Sequence, residues 1–221
     1  MATAIQSEKG LLRASVYDEL RQRFVTGKIM PGIGLSTRGL ALELGVSQMP
    51  VREALSRLAA DGAVEIRSKR RIVVPLMTRE RFEDLLRCRE LLEPEAAASA
   101  MEHVDAKTLK RLKAVDHALG VALKTGDVDG YMEGNFEFHF LIYRSQPRRT
   151  MTQLIETLWL QFGPYMRIVY GRVGTQTLVD QHELAIQAIR NRDKAALRKA
   201  ILADIRDGMG LIGKSGLGSG A

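Results

Sequence analysis

The stretch from Ser36 to Val74 constrains the fold more than any other part of the chain. Two apolar-patterned segments meet at Gly45 with almost nothing between them, and two short alternating segments follow. Ser36 is a good N-cap for the first segment, which carries Leu40, Leu42 and Leu44. Gly45 stops it and Ser47 opens the next. With Ser47 as cap, Val51, Leu55 and Leu58 fall on one helical face, and Gln48, Met49, Arg52 and Ser56 fall on the other. Pro50 lies in the first turn, where a missing N–H costs little. Val64 and Ile66 then point one way along an extended segment, as do Ile72 and Val74 along a second, with Ser-Lys-Arg-Arg at the hairpin tip. Upstream, Val16, Leu20 and Phe24 recur four apart in an apolar stripe that ends at TGKIMPG, where Gly27 suits a left-handed cap and Pro31-Gly32 a turn. Helix, helix, turn, helix and a two-stranded wing make a winged helix-turn-helix over residues 11–77, preceded by a flexible arm at 1–10.

From Thr78 onward no strand pattern occurs. The spacing predicts helices over 78–101, 105–124, 127–145, 148–171, 175–191 and 193–212, with Asp105, Asp127 and Asp193 as anionic residues near their starts. Pro94 predicts a kink in the first of these, and Gly163-Pro164 a break or bend in the fourth. Residues 213–221 are Gly/Ser-rich and read as a disordered tail. The expected fold is mainly α, with an N-terminal winged helix-turn-helix carrying a small two-stranded wing and a C-terminal all-α helical bundle over 78–212.

The charge balance says which partner such a unit meets. The chain carries a formal +7, and residues 1–77 hold 12 Lys and Arg against 7 Asp and Glu. A local basic excess attracts polyanions. The single cysteine, Cys88, excludes an intrachain disulfide and reads as a packed thiol. No run approaches the ~20 apolar residues of a membrane span, and MATAIQSEKG lacks the apolar core of a signal peptide, so a cytoplasmic protein is expected.

A helix of this size fits the DNA major groove, and residues near its N-terminus meet base edges. Arg52 can donate two parallel hydrogen bonds to guanine O6 and N7; Gln48 can read adenine or bond a phosphate; Met49 can pack on a thymine methyl. Lys69, Arg70 and Arg71 crowd three positive charges at the wing tip, which a polyanion would relieve through phosphate or minor-groove contact. Arg38, in the first turn of the second helix, either contacts phosphate or pairs with Glu43.

PGIGLSTRGLALELGVSQMPVREALSRLAADGAVEI resembles the N-terminal domain of GntR-superfamily transcription regulators, in its Pro-Gly turn, leucine-rich helix, GVS, PVREAL and the Gly before the wing. RELLEPEAA (89–97), NFEFHFLI (135–142) and HELAIQAIRNRDKAALRKAI (182–201) resemble the effector domain of the FadR subfamily, of the FCD type. Arg38 and Arg52 match DNA-contacting positions of that family. Gln48 stands where Arg is frequent, Met49 where Thr is frequent, and Lys69-Arg70 where the wing commonly has Arg-Gly. The resemblance implies a ligand-responsive regulator rather than an enzyme: a homodimer on a double-stranded palindromic operator, most simply a repressor released by a small carboxylate effector.

Asn135 and His139 are four apart and share a helix face; His182 opens a later helix, and Asp204 follows in the next. Antiparallel packing can bring all four into one bundle interior, where helix-borne side chains build metal sites. The resemblance implies such a site in many members, formed by one Asp or Asn and three His, with Asp204 here in place of the third His. This set suits Zn²⁺, Ni²⁺ or Mn²⁺; the alternative is a pair of hydrogen-bonded core histidines. The resemblance also implies that Arg89 clamps an effector carboxylate, against the alternative of intrahelical pairing with Glu93. Arg167 is a second clamp candidate. His103 and His117 have no such partners and read as surface residues, and Phe138 and Phe140 are not expected to face inward together with His139. Two other readings remain. One is a metal-free regulator of acyl-type ligands. The other is a metal-dependent hydrolase, which lacks a general base because Glu137 lies on another face than Asn135 and His139.

Overall fold

The Ser36 hydroxyl accepts a hydrogen bond from the Gly39 N–H at 2.8 Å, and this cap opens the second helix of the chain. In the computed structural model, which describes residues 2–68, 71–173 and 180–214, α1 (Ala2–Val25), α2 (Thr37–Glu43) and α3 (Gln48–Ala60) precede three short strands, β1 (Gly34–Leu35), β2 (Glu65–Ser68) and β3 (Arg71–Val73), with β1 lying between α1 and α2. α1 and α2 both pack on α3. The stripe Val16, Leu20 and Phe24 is buried, as are Val51, Leu55 and Leu58 on the facing helix, so the apolar faces read from the spacing form one core. Gly45 has φ 64°, a left-handed conformation that costs a residue with a side chain but not glycine, and it turns the chain from α2 into α3. Ser47 has extended backbone at the N-cap of α3 but makes no side-chain capping bond.

Four details differ from the sequence reading. Residues 2–10, expected as an arm, belong to α1. Leu42 is 85% exposed, because a seven-residue helix has only one face on α3, and Leu40 and Ala41 occupy it. The wing has three strands in the order β1-β3-β2, all antiparallel, since Gly34 and Leu35 pair with Val73 and Ile72. On the edge strand β2, a register shift between Ile66 and Ser68 accompanies an Ile66 that is half exposed, while Val64 is buried as expected. On the central strand and just beyond it, Ile72, Val73 and Val74 are all buried.

The remaining elements are α4 (Arg79–Ala100), a short 3-10 turn (Met101–His103), α5 (Ala106–Thr125), α6 (Val128–Tyr143), α7 (Thr150–Val173), α8 (Gln181–Arg190) and α9 (Lys194–Lys214). Several of their starts are set by anionic caps. Asp105 accepts from Thr108 N–H at 2.7 Å, Asp127 from Gly130 N–H at 2.9 Å, and Asp193 from the N–H groups of Ala195 and Ala196 at 3.0 and 2.9 Å. Asp180, which the spacing did not single out, caps α8 through Glu183 N–H at 2.9 Å. α4 runs without interruption through Pro94, and α7 runs without interruption through Gly163-Pro164, where a break was one expectation. α8 begins at Gln181; residues 175–179 of the helix expected over 175–191 lie outside the described residues, as do 215–221 of the expected tail.

The chain divides into two units, Met1–Leu76 with Leu160–Pro164, and Met77–Trp159 with Tyr165–Ala221. In the second unit α6 packs on α5 and α4, and α9 packs on α4 and α8. α6 is apolar around most of its circumference. Phe136, Phe138, Phe140, Ile142 and Tyr143 are all buried, so Phe138 and Phe140 lie inside together with His139. The solvated face of this helix is the narrow one that carries Asp129, Glu133 and Glu137, so both phenylalanines lie on enclosed faces. Phe138 stacks on His182 with centroids 4.1 Å apart, and Phe140 stacks on Phe136 at 4.2 Å. His103 and His117 are exposed. No helix among the described residues is long and apolar enough to cross a membrane.

Candidate functional site

On the first unit, α3 turns Val51, Ala54, Leu55 and Leu58 inward and leaves Gln48, Met49, Arg52 and Ser56 exposed. The arginines of this surface are not equivalent. Arg57 lies over the Tyr17 ring, 3.5 Å from its centroid, and Arg23 bridges Glu19 and Glu43 at 2.7 and 2.6 Å. Glu43 is thereby taken, so the alternative pairing for Arg38 is not formed, and Arg38 is exposed. Neither Arg38 nor Arg52 has an ionic or hydrogen-bonding partner among the described residues. An exposed guanidinium without a carboxylate partner keeps all its donors for an external acceptor. The Met49 sulfur lies 3.9 Å from the Arg13 guanidinium, on the exposed side of α3. Arg71 opens β3 and is exposed; Lys69 and Arg70 lie outside the described residues.

In the second unit His139 from α6, His182 from α8 and Asp204 from α9 converge, each offering a ligand atom within 4.8 Å of the others. His139 Nε2 stands 3.0 Å from Asp204 Oδ2, and His182 Nε2 stands 3.4 Å from His139 Nε2 and 3.5 Å from Asp204 Oδ1. Asn135 is buried one turn before His139 on α6. Two imidazoles and a carboxylate whose ligand atoms converge in this way form a donor set that fits a divalent ion of borderline softness.

Burial pushes the His182 imidazole down to about 4 from its ordinary 6.5, with His139 adding to the effect and Asp204 opposing it. The ring is therefore neutral at pH 7, the form that ligates metals. For Asp204, burial works upward, yet the adjacent His182, the hydrogen bond with His139 and the Arg89 charge outweigh it and hold the carboxyl at about 2. Asp204 is an anion at any pH where the protein works.

A cavity of about 440 Å³ opens on this cluster, with His182 and Asp204 in its wall. Asp116, Asp180 and Asp207 also line it, against one cation among the described residues, Lys124. Asp116 is pushed up to about 6, first by burial and then by the neighbouring Asp180 and Glu183 carboxylates. Tyr131 and Tyr170, with ring centroids 4.6 Å apart, supply aromatic wall.

The two arginines expected as clamps are elsewhere. Arg89 is 2% exposed and is not part of the cavity wall; its Nε donates to Glu93 Oε1 at 2.5 Å and its guanidinium lies over Trp159. The intrahelical alternative for Arg89 is thus the one that forms. Arg167 pairs with Asp129 and is likewise not in the wall. The sequence reading named Glu93 only as a partner for Arg89, and it missed Tyr143, Asp116 and Asp180. The available signal was local: Tyr143 follows His139 by four residues, as Glu93 follows Arg89, and Asp180 precedes His182 at a helix start.

Comparison with known proteins places this geometry. Residues 84–207 match the FCD domain family, and residues 12–74 match the bacterial regulatory proteins of the gntR family. The HTH-type transcriptional regulator McbR of Escherichia coli strain K12 is 28% identical over 193 residues, covering 86% of this chain and 87% of the relative. The gluconate operon transcriptional repressor of Bacillus subtilis strain 168 is 28% identical over 199 residues, covering 86% and 80%. The solved structure of E. coli McbR/YncC superposes with a TM-score of 0.86 at 27% identity, covering 92% of this chain and 98% of that one. These relatives are transcription regulators and not enzymes, and the hydrolase reading falls away with them. A helix-turn-helix with a wing, followed by a helical unit that matches the FCD domain, makes this chain a member of the GntR family of bacterial transcription regulators with an FCD effector domain.

Proposed function

We propose that the protein is a homodimeric repressor of the FadR subfamily, cytoplasmic, that leaves its operator when a small carboxylate metabolite binds next to a divalent metal in the second unit. Residues 11–77 form the DNA-binding domain and residues 78–212 the effector-binding and dimerisation domain. Arg52, Gln48 and Met49 read bases in the major groove, while Arg38, Lys69, Arg70 and Arg71 hold phosphates. Two such heads on one dimer address the two halves of a palindromic site.

The observation that carries the effector reading is the shared wall: His182 and Asp204 belong both to the three-residue cluster and to the cavity. His139, His182 and Asp204, with Asn135 as a fourth candidate, would hold Zn²⁺, Ni²⁺ or Mn²⁺. A bound ion would supply positive charge and open coordination positions for an acid group. Charge makes that ion necessary for a carboxylate. Among the described residues of the wall, Asp116, Asp180, Asp204 and Asp207 face Lys124 alone, so an anion entering without the metal meets repulsion from four carboxylates.

The test follows from that requirement. A promoter-fragment complex is titrated with a panel of small mono- and dicarboxylates, before and after metal removal by a chelator. The expected result is release by at least one acid from the metal-loaded protein and none from the stripped protein, with release restored by adding metal back. Equal release in both states contradicts the metal-dependent reading and favours a metal-free regulator.

A further inference from the structure

Resting on the metal reading above, we propose that Glu93 and Tyr143 are positioning residues that select which nitrogen of His139 offers its lone pair to the cluster. Two pairs with four-residue spacing face each other here, Arg89 and Glu93 on α4 and His139 and Tyr143 on α6, on helices packed together.

The direction of each hydrogen bond follows from what its partners can do. Glu93 is fully buried. Arg89 donates to it through Nε at 2.5 Å and through Nη2 at 3.3 Å, and Trp159 Nε1 donates at 3.2 Å. Guanidinium and indole N–H groups only donate, and a carboxylate only accepts. The Tyr143 hydroxyl, 2.8 Å from Glu93 Oε2, therefore gives its proton to Glu93. Its oxygen is left as an acceptor. His139 Nδ1 lies 3.1 Å from that oxygen and must be the donor, so Nδ1 carries a proton. With Nδ1 so engaged, Nε2 is the nitrogen left to give a lone pair to a metal, in place of its hydrogen bond with Asp204. Nε2 is the nitrogen 3.0 Å from Asp204 Oδ2 and 3.4 Å from His182 Nε2. The chain of donors thus begins at a charge that cannot be turned off, the Arg89 guanidinium, and ends at the ring whose other nitrogen, Nε2, faces the centre of the cluster.

This accounts for a buried ion pair that has no evident purpose in stability. Taking Arg89 and Glu93 out of water is costly for both ions, and an apolar pair often serves the fold as well. The position of Arg89 is then explained by what it does to Glu93 and not by contact with an effector. Outer-shell partners of metal-ligating histidines act in this way, fixing the tautomer and the ring orientation.

The test uses the full-length protein, zinc as the probe metal and Tyr143→Phe, which keeps the ring and removes the hydroxyl. The chain has only four histidines, and ¹⁵N labelling resolves the tautomer of each. Three results are expected. In the zinc-loaded wild type, His139 carries its proton on Nδ1. The variant loses that preference. Its zinc affinity, measured by competition with a chromophoric chelator, falls about ten- to a hundred-fold. A merely structural role for Tyr143 would lower the melting temperature without moving the tautomer. Because the tautomer is read in the wild-type protein, a poorly folding variant does not block the test. Zinc uptake with His139 protonated on Nε2, or with unchanged affinity in Tyr143→Phe, overturns the positioning role alone. A wild-type protein that takes up no zinc overturns the metal reading and this role with it.

Discussion

Arg52→Ala is expected to erase the preference of the protein for its operator while leaving its thermal melt in place. The Arg52 side chain is exposed in the first half of α3 and has no ionic or hydrogen-bonding partner among the described residues. Its removal takes away no packing, and a surface substitution of this kind falls within about 0.5 kcal/mol. Alanine also suits a helix interior as well as arginine does. What disappears is a fork of donors that can bond guanine O6 and N7 together, a contact that discriminates by about 1–3 kcal/mol. Affinity for the cognate site should fall about 5- to 150-fold, and affinity for a scrambled duplex should change much less. Arg57→Ala is the instructive contrast. Its guanidinium covers the Tyr17 ring at 3.5 Å, so the melt should move and the preference should not. A variant at Arg52 that still separates operator from scrambled DNA at wild-type levels removes Arg52 from the reading surface.

The double variant His139→Ala, His182→Ala should lose its metal and its response to effector, yet still bind DNA. Of the three converging ligands only Asp204 survives, and a single carboxylate does not hold a transition metal against buffer. Elemental analysis of purified protein is expected to fall from about one divalent ion per chain to near none. Operator binding without effector should persist, because no residue of the winged unit changes, and addition of the effector should no longer release the DNA. Some loss of stability is expected in addition, since His182 stacks on Phe138 and His139 is completely buried. A folded double variant with its full metal content would put the ion elsewhere.

What could be read from the sequence, and what could not, follows the range of the forces involved. Ser36, Asp105, Asp127 and Asp193 announced helix starts because a cap bonds an N–H two or three residues away. The faces of α1 and α3 were legible because each helix has one dry side and one wet side. Where that asymmetry fails, the reading failed. α6 is enclosed everywhere but along Asp129, Glu133 and Glu137, so Phe138 and Phe140 both lie inside with His139, against expectation. Leu42 looked like core because α2 was given more buried surface than seven residues can have. β1 was missed because a two-residue strand exists only through its pairing with β3. The convergence of His139, His182 and Asp204 was foreseen from helix order and family likeness, but the Asp116 and Asp180 wall was not, since it depends on how α5 meets the start of α8. Arg89 is the clearest case. Its spacing to Glu93 and its likeness to an effector clamp were both visible in the sequence. Only the contacts of Glu93 with Tyr143 and Trp159, across three helices, decide between them.

At the centre of the proposed function stands a division of labour, in which the first unit would grip duplex DNA and the second would decide when it lets go. The most direct measurement is fluorescence anisotropy of the intact, metal-loaded protein on fragments from its own genome, taken over a series of salt concentrations and repeated with the carboxylate panel. The expected result is a subset of fragments bound at least about a hundred-fold more tightly than the rest, with affinity falling steeply as salt rises and binding reversed by one of the acids. Affinity that is the same for every fragment, or as weak as that of an unrelated soluble protein, contradicts it.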